Sequence, residues 1–230
     1  MAFVINGIFF NSRLTGIERY AYEVTSCLDK ICKAGQIKLL LSPKADKKNI
    51  PQYKNIQTLT FPKTPLKDCH NIKLSLYMFF HKVACLDYTN HMPFFGKNNV
   101  AFLHDIYCRV YPQDFVSKRD KKVLRKTLAM YSRICKRAKL ICTVSEFSKK
   151  QIMDYYGVPA EKIKVVYSSA EAFNSVEKDD SILDRYPELK KKSFYFTLGS
   201  LSLRKNLKWI YLFLIAVMEE NLGQIGRAHV

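Results

Sequence analysis

The sequence predicts an α/β protein whose sheet is parallel and covered by helices on both faces. Three observations carry this. Strand-like and helix-like segments alternate along almost all of the 230 residues. Several strand-like runs, such as KLICTV (139–144), are nearly continuous in apolar residues, as strands buried on both faces are. Nearly half of the residues are apolar and 13% are aromatic, enough for a well-buried core.

Each element can be justified in order. Residues 2–10 (AFVINGIFF) are β-rich. Ile17, Tyr20, Ala21, Val24, Leu28 and Ile31 then recur at helical spacing, and Thr15 with Glu18 forms a T-x-x-E capping-box pattern at the head of that helix. QIKLLLSP (36–43) and NIQTLTF (55–61) read as strands, 71–82 as a helix, and VACLDYT (83–89) and NVAFLHDI (99–106) as further strands. A long basic helix is expected over 115–138, with Val116, Val123, Leu124, Leu128, Tyr131 and Ile134 on its buried stripe. KLICTV (139–144) is a short apolar strand, and Ser145 can cap a helix that Gly157 and Pro159 end. KIKVVYSS (162–169) closes the series. The result is a Rossmann-like domain over 1–170. The charged stretch 171–192 reads as a linker, and the strand 193–200 with a helix near 205–221 reads as the start of a second, truncated Rossmann-like unit over 193–224.

Lysine and arginine outnumber acids 38 to 20, a net charge of +18. Such a balance favours anionic partners or a solvated basic surface. The seven cysteines form no C-x-x-C pair and sit mostly in apolar runs, which suits buried thiols in a reducing compartment. The opening MAFVINGIFF has neither a basic leader nor a small-residue cleavage site, so no signal peptide is expected. WIYLFLIAVM (209–218) is too short to span a bilayer and suits a core helix. A soluble cytoplasmic protein is expected, its basic helix either a solvated outer face or a peripheral contact with the inner face of an anionic membrane.

Ligands of open α/β sheets bind outside the carboxyl ends of the strands, and four segments place polar residues there. Gly16 opens the first helix, whose free amides attract anions and whose missing side chain admits a close ligand. His104 and Asp105 leave a buried strand. They either meet a sugar hydroxyl or phosphate, or only fix the loop. Ser145 and Glu146 read first as helix cap and first-turn acid, at a helix mouth opening on the same cleft. Arg204 and Lys205 follow Gly199 after a strand, beside the head of a helix, and suit a diphosphate leaving group. There is no G-x-G-x-x-G.

Taken in order, TGIERYAYEV (15–24), LHDIY (103–107), ICTVSEFSKKQIMDYYGVPAEKIKVVYSS (141–169) and LGSLSLRKN (198–206) resemble the GT-B glycosyltransferases, specifically the retaining family four that uses nucleotide sugars. The resemblance implies an acceptor-binding N-terminal domain, a donor-binding C-terminal one, and reaction in the cleft between them. It implies that Gly16 faces the donor diphosphate, that His104 is the catalytic-cleft histidine, and that Arg204 and Lys205 neutralise the departing nucleotide. It implies a UDP- or GDP-sugar donor, a polysaccharide or lipid-linked glycan acceptor, retention of configuration, and neither metal nor cofactor.

The chain departs from the family pattern in two places. Ser168 and Ser169 stand where Asn-Gly is common, and Ser202 and Leu203 where Glu-Pro is common. Nothing corresponds to the family's spaced glutamates, so the chain alone is expected to be inactive. IGRAHV (225–230) resembles a translated sequencing adapter, which places the end of genuine sequence near Gln224. The alternatives are a non-catalytic basic module on nucleic acid or anionic membrane, and a Rossmann oxidoreductase. The first lacks any nucleic-acid-binding motif, the second the glycine fingerprint.

Overall fold

The computed structural model describes residues 3–11, 13, 15–63, 70–169, 176–190 and 205–219. The chain divides into two compact units, Met1–Ser168 and Ser169–Val230.

The first unit is a seven-stranded, wholly parallel sheet. Its strands are β1 (Phe3–Asn6), β2 (Ile37–Leu41), β3 (Gln57–Thr60), β4 (Ala84–Asp87), β5 (Val100–Phe102), β6 (Leu140–Thr143) and β7 (Ile163–Val165). Their spatial order is β3-β2-β1-β4-β5-β6-β7. Phe3 is in register with Ile37 on one side and with Ala84 on the other. The order therefore reverses at β1/β4, the crevice in which open parallel sheets hold ligands.

The helices are α1 (Gly16–Ile31), α2 (His70–His81), α3 (Tyr107–Val110), α4 (Lys118–Arg137) and α5 (Glu146–Tyr156). Central strands are apolar on both faces because both are covered: Val4, Ile5, Leu39 and Ile141 have no exposed surface. Val4 and Leu40 pack with Leu74 and Met78 of α2, whereas Ile5 and Leu39 pack with Ala21 of α1. A third cluster joins Tyr131 and Ile134 of α4 to Ile141, Ile152 and Ile163. Ser117 caps α4 in a full capping box with Asp120. Gly157 ends α5 in the left-handed region at φ 63°, as the Gly-Val-Pro break suggests.

Several expectations need correction. The first strand stops at Asn6, and Gly7–Asn11 turn as a 3-10 helix. Gly7 is pressed so closely on β2 that a Cβ there would lie 2.8 Å from the Leu40 carbonyl oxygen. At α1 the Thr15 hydroxyl donates to the Glu18 carboxylate instead of accepting a backbone amide, so the T-x-x-E pattern does not cap the helix. Ile31, Val116 and Val123 are exposed rather than buried. Ile31 ends α1, Val116 precedes the α4 cap, and α4 buries its C-terminal half through Tyr131, Ile134 and Cys135.

In the second unit, α6 (Ser181–Arg185) and a 3-10 turn (Pro187–Lys190) interrupt the stretch read as linker. α7 (Leu207–Glu219) is not the buried helix its sequence suggests, since Trp209, Tyr211, Leu212 and Phe213 are exposed and only Val217 is buried among its described side chains. The expected strand 193–200 and the tail 225–230 lie outside the described residues.

Gly7→Ala is expected to lower stability by about 1–3 kcal/mol, because backbone rather than a flexible side chain must yield. Urea unfolding of the two proteins checks this, and an unchanged midpoint contradicts the close packing of Gly7 on β2.

Candidate functional site

Gly16, His104 and Ser145 follow β1, β5 and β6 respectively, so all three belong to the carboxyl edge of the sheet. Side chains tie these segments together. Tyr20, one turn into α1, packs edge-on against the His104 ring with centroids 5.2 Å apart. Its hydroxyl donates to the Val166 carbonyl beyond β7 at 3.5 Å. The Thr143 hydroxyl at the end of β6 donates to the His104 carbonyl at 3.4 Å.

His104 is held from three sides and is only 8% exposed. Its backbone N–H donates to Asn90 Oδ1 at 2.9 Å. Asn90 adopts φ 57°, a left-handed conformation that asparagine tolerates better than most residues. Its ring Nε2 lies 2.7 Å from the Tyr88 carbonyl oxygen. A carbonyl oxygen only accepts, so Nε2 carries the proton. Burial holds the His104 pKa below the usual histidine range, outweighing the Tyr88 carbonyl and the charges of Asp105 and Glu18, all of which raise it. The neutral ring therefore keeps its lone pair on Nδ1, ready to accept a hydrogen bond from a hydroxyl. Burial also pushes the Tyr20 hydroxyl up to about 12, with Cys142 adding to it.

The head of α1 complements this ring. Without a Thr15 cap, its first amides keep no side-chain partner from that residue. A Cβ at Gly16 would meet nothing within 4 Å. A helix N-terminus that Thr15 leaves uncapped, with room at Gly16, is a place for an anion.

The other expected residues fare differently. Asp105 is exposed, and its Oδ1 accepts the Tyr107 N–H at 3.0 Å, which fixes the turn into α3. Ser145 accepts the Ser148 N–H at 3.1 Å and caps α5, with Glu146 exposed in the first turn. Lys205 is exposed in the second unit, and Arg204 lies outside the described residues. Among the described residues no three His, Cys, Asp or Glu side chains are grouped to hold a metal.

The sequence reading missed the floor of the site. At the β1/β4 crevice the buried Asn6 amide donates to Asp87 Oδ2 at 2.5 Å, and His70 Nε2 donates to Asn6 Oδ1 at 2.7 Å. Asp87 Oδ1 accepts the Thr89 N–H and hydroxyl, each at 2.9 Å. An aspartate inside the apolar run VACLDYT was the signal available, since a buried carboxylate persists only when hydrogen-bonded.

Residues 14–169 match the family model described as Glycosyltransferase Family 4. A stretch of 126 residues, 55% of this chain, is 31% identical to the O-antigen chain mannosyltransferase RfbU of Salmonella typhimurium. That stretch spans 31% of the relative's length.

An unfolded chain takes up a proton on His104 near 6.5, while the folded chain resists it until lower pH. The stability that His104 contributes is thus fully present above pH 6.5 and is lost as pH falls below it. Unfolding midpoints measured from roughly pH 8 to 5 are expected to fall less steeply in His104→Gln than in the parent. Identical slopes contradict the buried neutral ring.

Proposed function

We propose that this chain, which belongs to Glycosyltransferase Family 4, forms the acceptor side of a GT-B glycosyltransferase. The whole transferase moves a hexose from a UDP- or GDP-sugar to a polysaccharide or lipid-linked glycan, with retention of configuration. The similarity to a mannosyltransferase makes mannose the first sugar to try.

The observation that carries the reading is the convergence of an open helix N-terminus at Gly16 with a buried, neutral His104 at one edge of the sheet. The helix N-terminus supplies partial positive charge for the donor diphosphate. His104 Nδ1 accepts from a hydroxyl of the sugar being transferred, orienting it without adding charge. Lys205, together with Arg204, neutralises the leaving nucleotide diphosphate, the role a metal fills elsewhere. Asp105, Ser145 and Glu146 shape the rim. On this reading the chain does not turn over without its donor-binding domain. Basic surface brings it to an anionic membrane beside a lipid-linked acceptor.

Transfer of radiolabelled hexose to membrane glycolipid, assayed with the protein translated from the whole locus, tests this. Gly16→Ala is expected to leave stability unchanged, because its methyl meets only open space, and to lower kcat/KM roughly 10- to 100-fold. His104→Ala is expected to lower kcat by about 100-fold or more. Two variants as active as the parent contradict the assignment of this edge.

A further inference from the structure

α2 carries apolar residues on two opposite sides. Leu74 and Met78 pack on the sheet, while Ile72, Leu76, Phe79 and Phe80 form a second stripe on the opposite side. That stripe follows helical spacing and faces solvent, with Phe79 and Phe80 67% and 73% exposed. The connection from β4 to β5 runs alongside and widens it, adding exposed Phe94 and Phe95.

The loop is tied to its neighbours. The Phe94 N–H donates to Ser75 Oγ of α2 at 2.9 Å, and Gly96, at φ 115°, lies beside the end of the Met78 side chain. From α4, the Arg133 guanidinium sits 4.6 Å above the Phe94 ring and Arg137 donates to the Phe94 carbonyl.

Its charge has one sign. Between residues 70 and 104 the sole acidic residue is Asp87, which is buried, whereas Lys82 and Lys97 are exposed. Those two lysines flank a groove of about 680 Å³ that Phe79 and Phe80 also line. A protein-binding face of this size ordinarily carries a mixed polar rim. Exposed aromatics beside these two lysines match the headgroup region of an anionic bilayer, where rings enter the acyl boundary and lysines meet phosphates. Among the described residues no helix is long and apolar enough to cross a membrane, so the contact is one of surface docking.

We infer that the outer face of α2, with Phe94, Phe95, Lys82 and Lys97, docks this chain on an anionic lipid bilayer. The inference deepens the membrane part of the reading above and rests on that part alone; glycosyl transfer is not required for it.

The test uses the 230-residue chain, whose single tryptophan is Trp209. Trp209→Phe removes it and Phe80→Trp adds a reporter on the stripe. Vesicles are phosphatidylcholine alone, or phosphatidylcholine with roughly a third phosphatidylglycerol. With the anionic vesicles, the indole at position 80 is expected to shift its emission to the blue and to be quenched by brominated acyl chains. In co-sedimentation, Phe79→Ser with Phe80→Ser is expected to weaken binding about tenfold or more, with an unchanged circular dichroism spectrum. Replacing Lys118, Lys121 and Lys122 of α4 by alanine is expected to weaken it less. Binding that the serine variant retains but the α4 variant loses overturns this surface while leaving a membrane contact elsewhere. Binding that neither variant alters and salt abolishes is plain attraction of a basic chain, and overturns it too. Failure to bind anionic vesicles at all overturns both. A dimer that shields the position-80 indole from vesicles overturns it in favour of self-association.

Discussion

The position of β1, paired in parallel with β2 on one side and β4 on the other, is the constraint on which the site depends. Parallel strands on both sides send the connections away in opposite directions, and a crevice opens at the carboxyl end. Polar side chains buried at that end need partners. Asn6 joins Asp87 to His70, and Asp87 is completed by Thr89. This floor fixes the ends of β1 and β4, from which the chain proceeds to α1 on one side and to Tyr88 and Asn90 on the other. His104 is then gripped by groups from that second path.

Two physical effects act in opposite senses on the same edge. Burial strips His104 of charge and confines its proton to Nε2. The head of α1 keeps amides without a side-chain cap from Thr15, in a place with room for a ligand. A neutral acceptor beside a partly positive helix end is an arrangement suited to a polar but uncharged sugar attached to a phosphate. The same economy of negative charge marks the outer face of α2, where aromatic side chains stand among lysines.

Much of the fold was legible because parallel strands buried on both faces leave continuous apolar runs, as at residues 39–41 and 140–142. Ser145 and Gly157 were legible too, since caps follow local rules. What failed depended on tertiary neighbours. Thr15 and Glu18 have the right spacing, yet their side chains prefer one another to the backbone. Val123 has the right periodicity, yet the core lies under the other half of α4. Tyr20, Tyr88, Asn90 and Thr143 gather around His104 from three separate segments, and no local pattern announces that meeting. The exposed stripe of α2 is equally hidden, because sequence alone does not say which side of a helix with apolar residues is covered.

The most direct test of the central claim, that the carboxyl edge of this sheet receives the sugar substrates, is a map of where they touch the chain. Amide chemical shifts of the isotopically labelled 230-residue chain, titrated with GDP-mannose, UDP-glucose and a mannose-terminated oligosaccharide, supply it. The largest changes are expected at Gly16, Ile17, His104 and Asp105, and smaller ones at Ser145 and Glu146. Changes confined to α2 or to the amino ends of the strands, with none at Gly16 and His104, would contradict it.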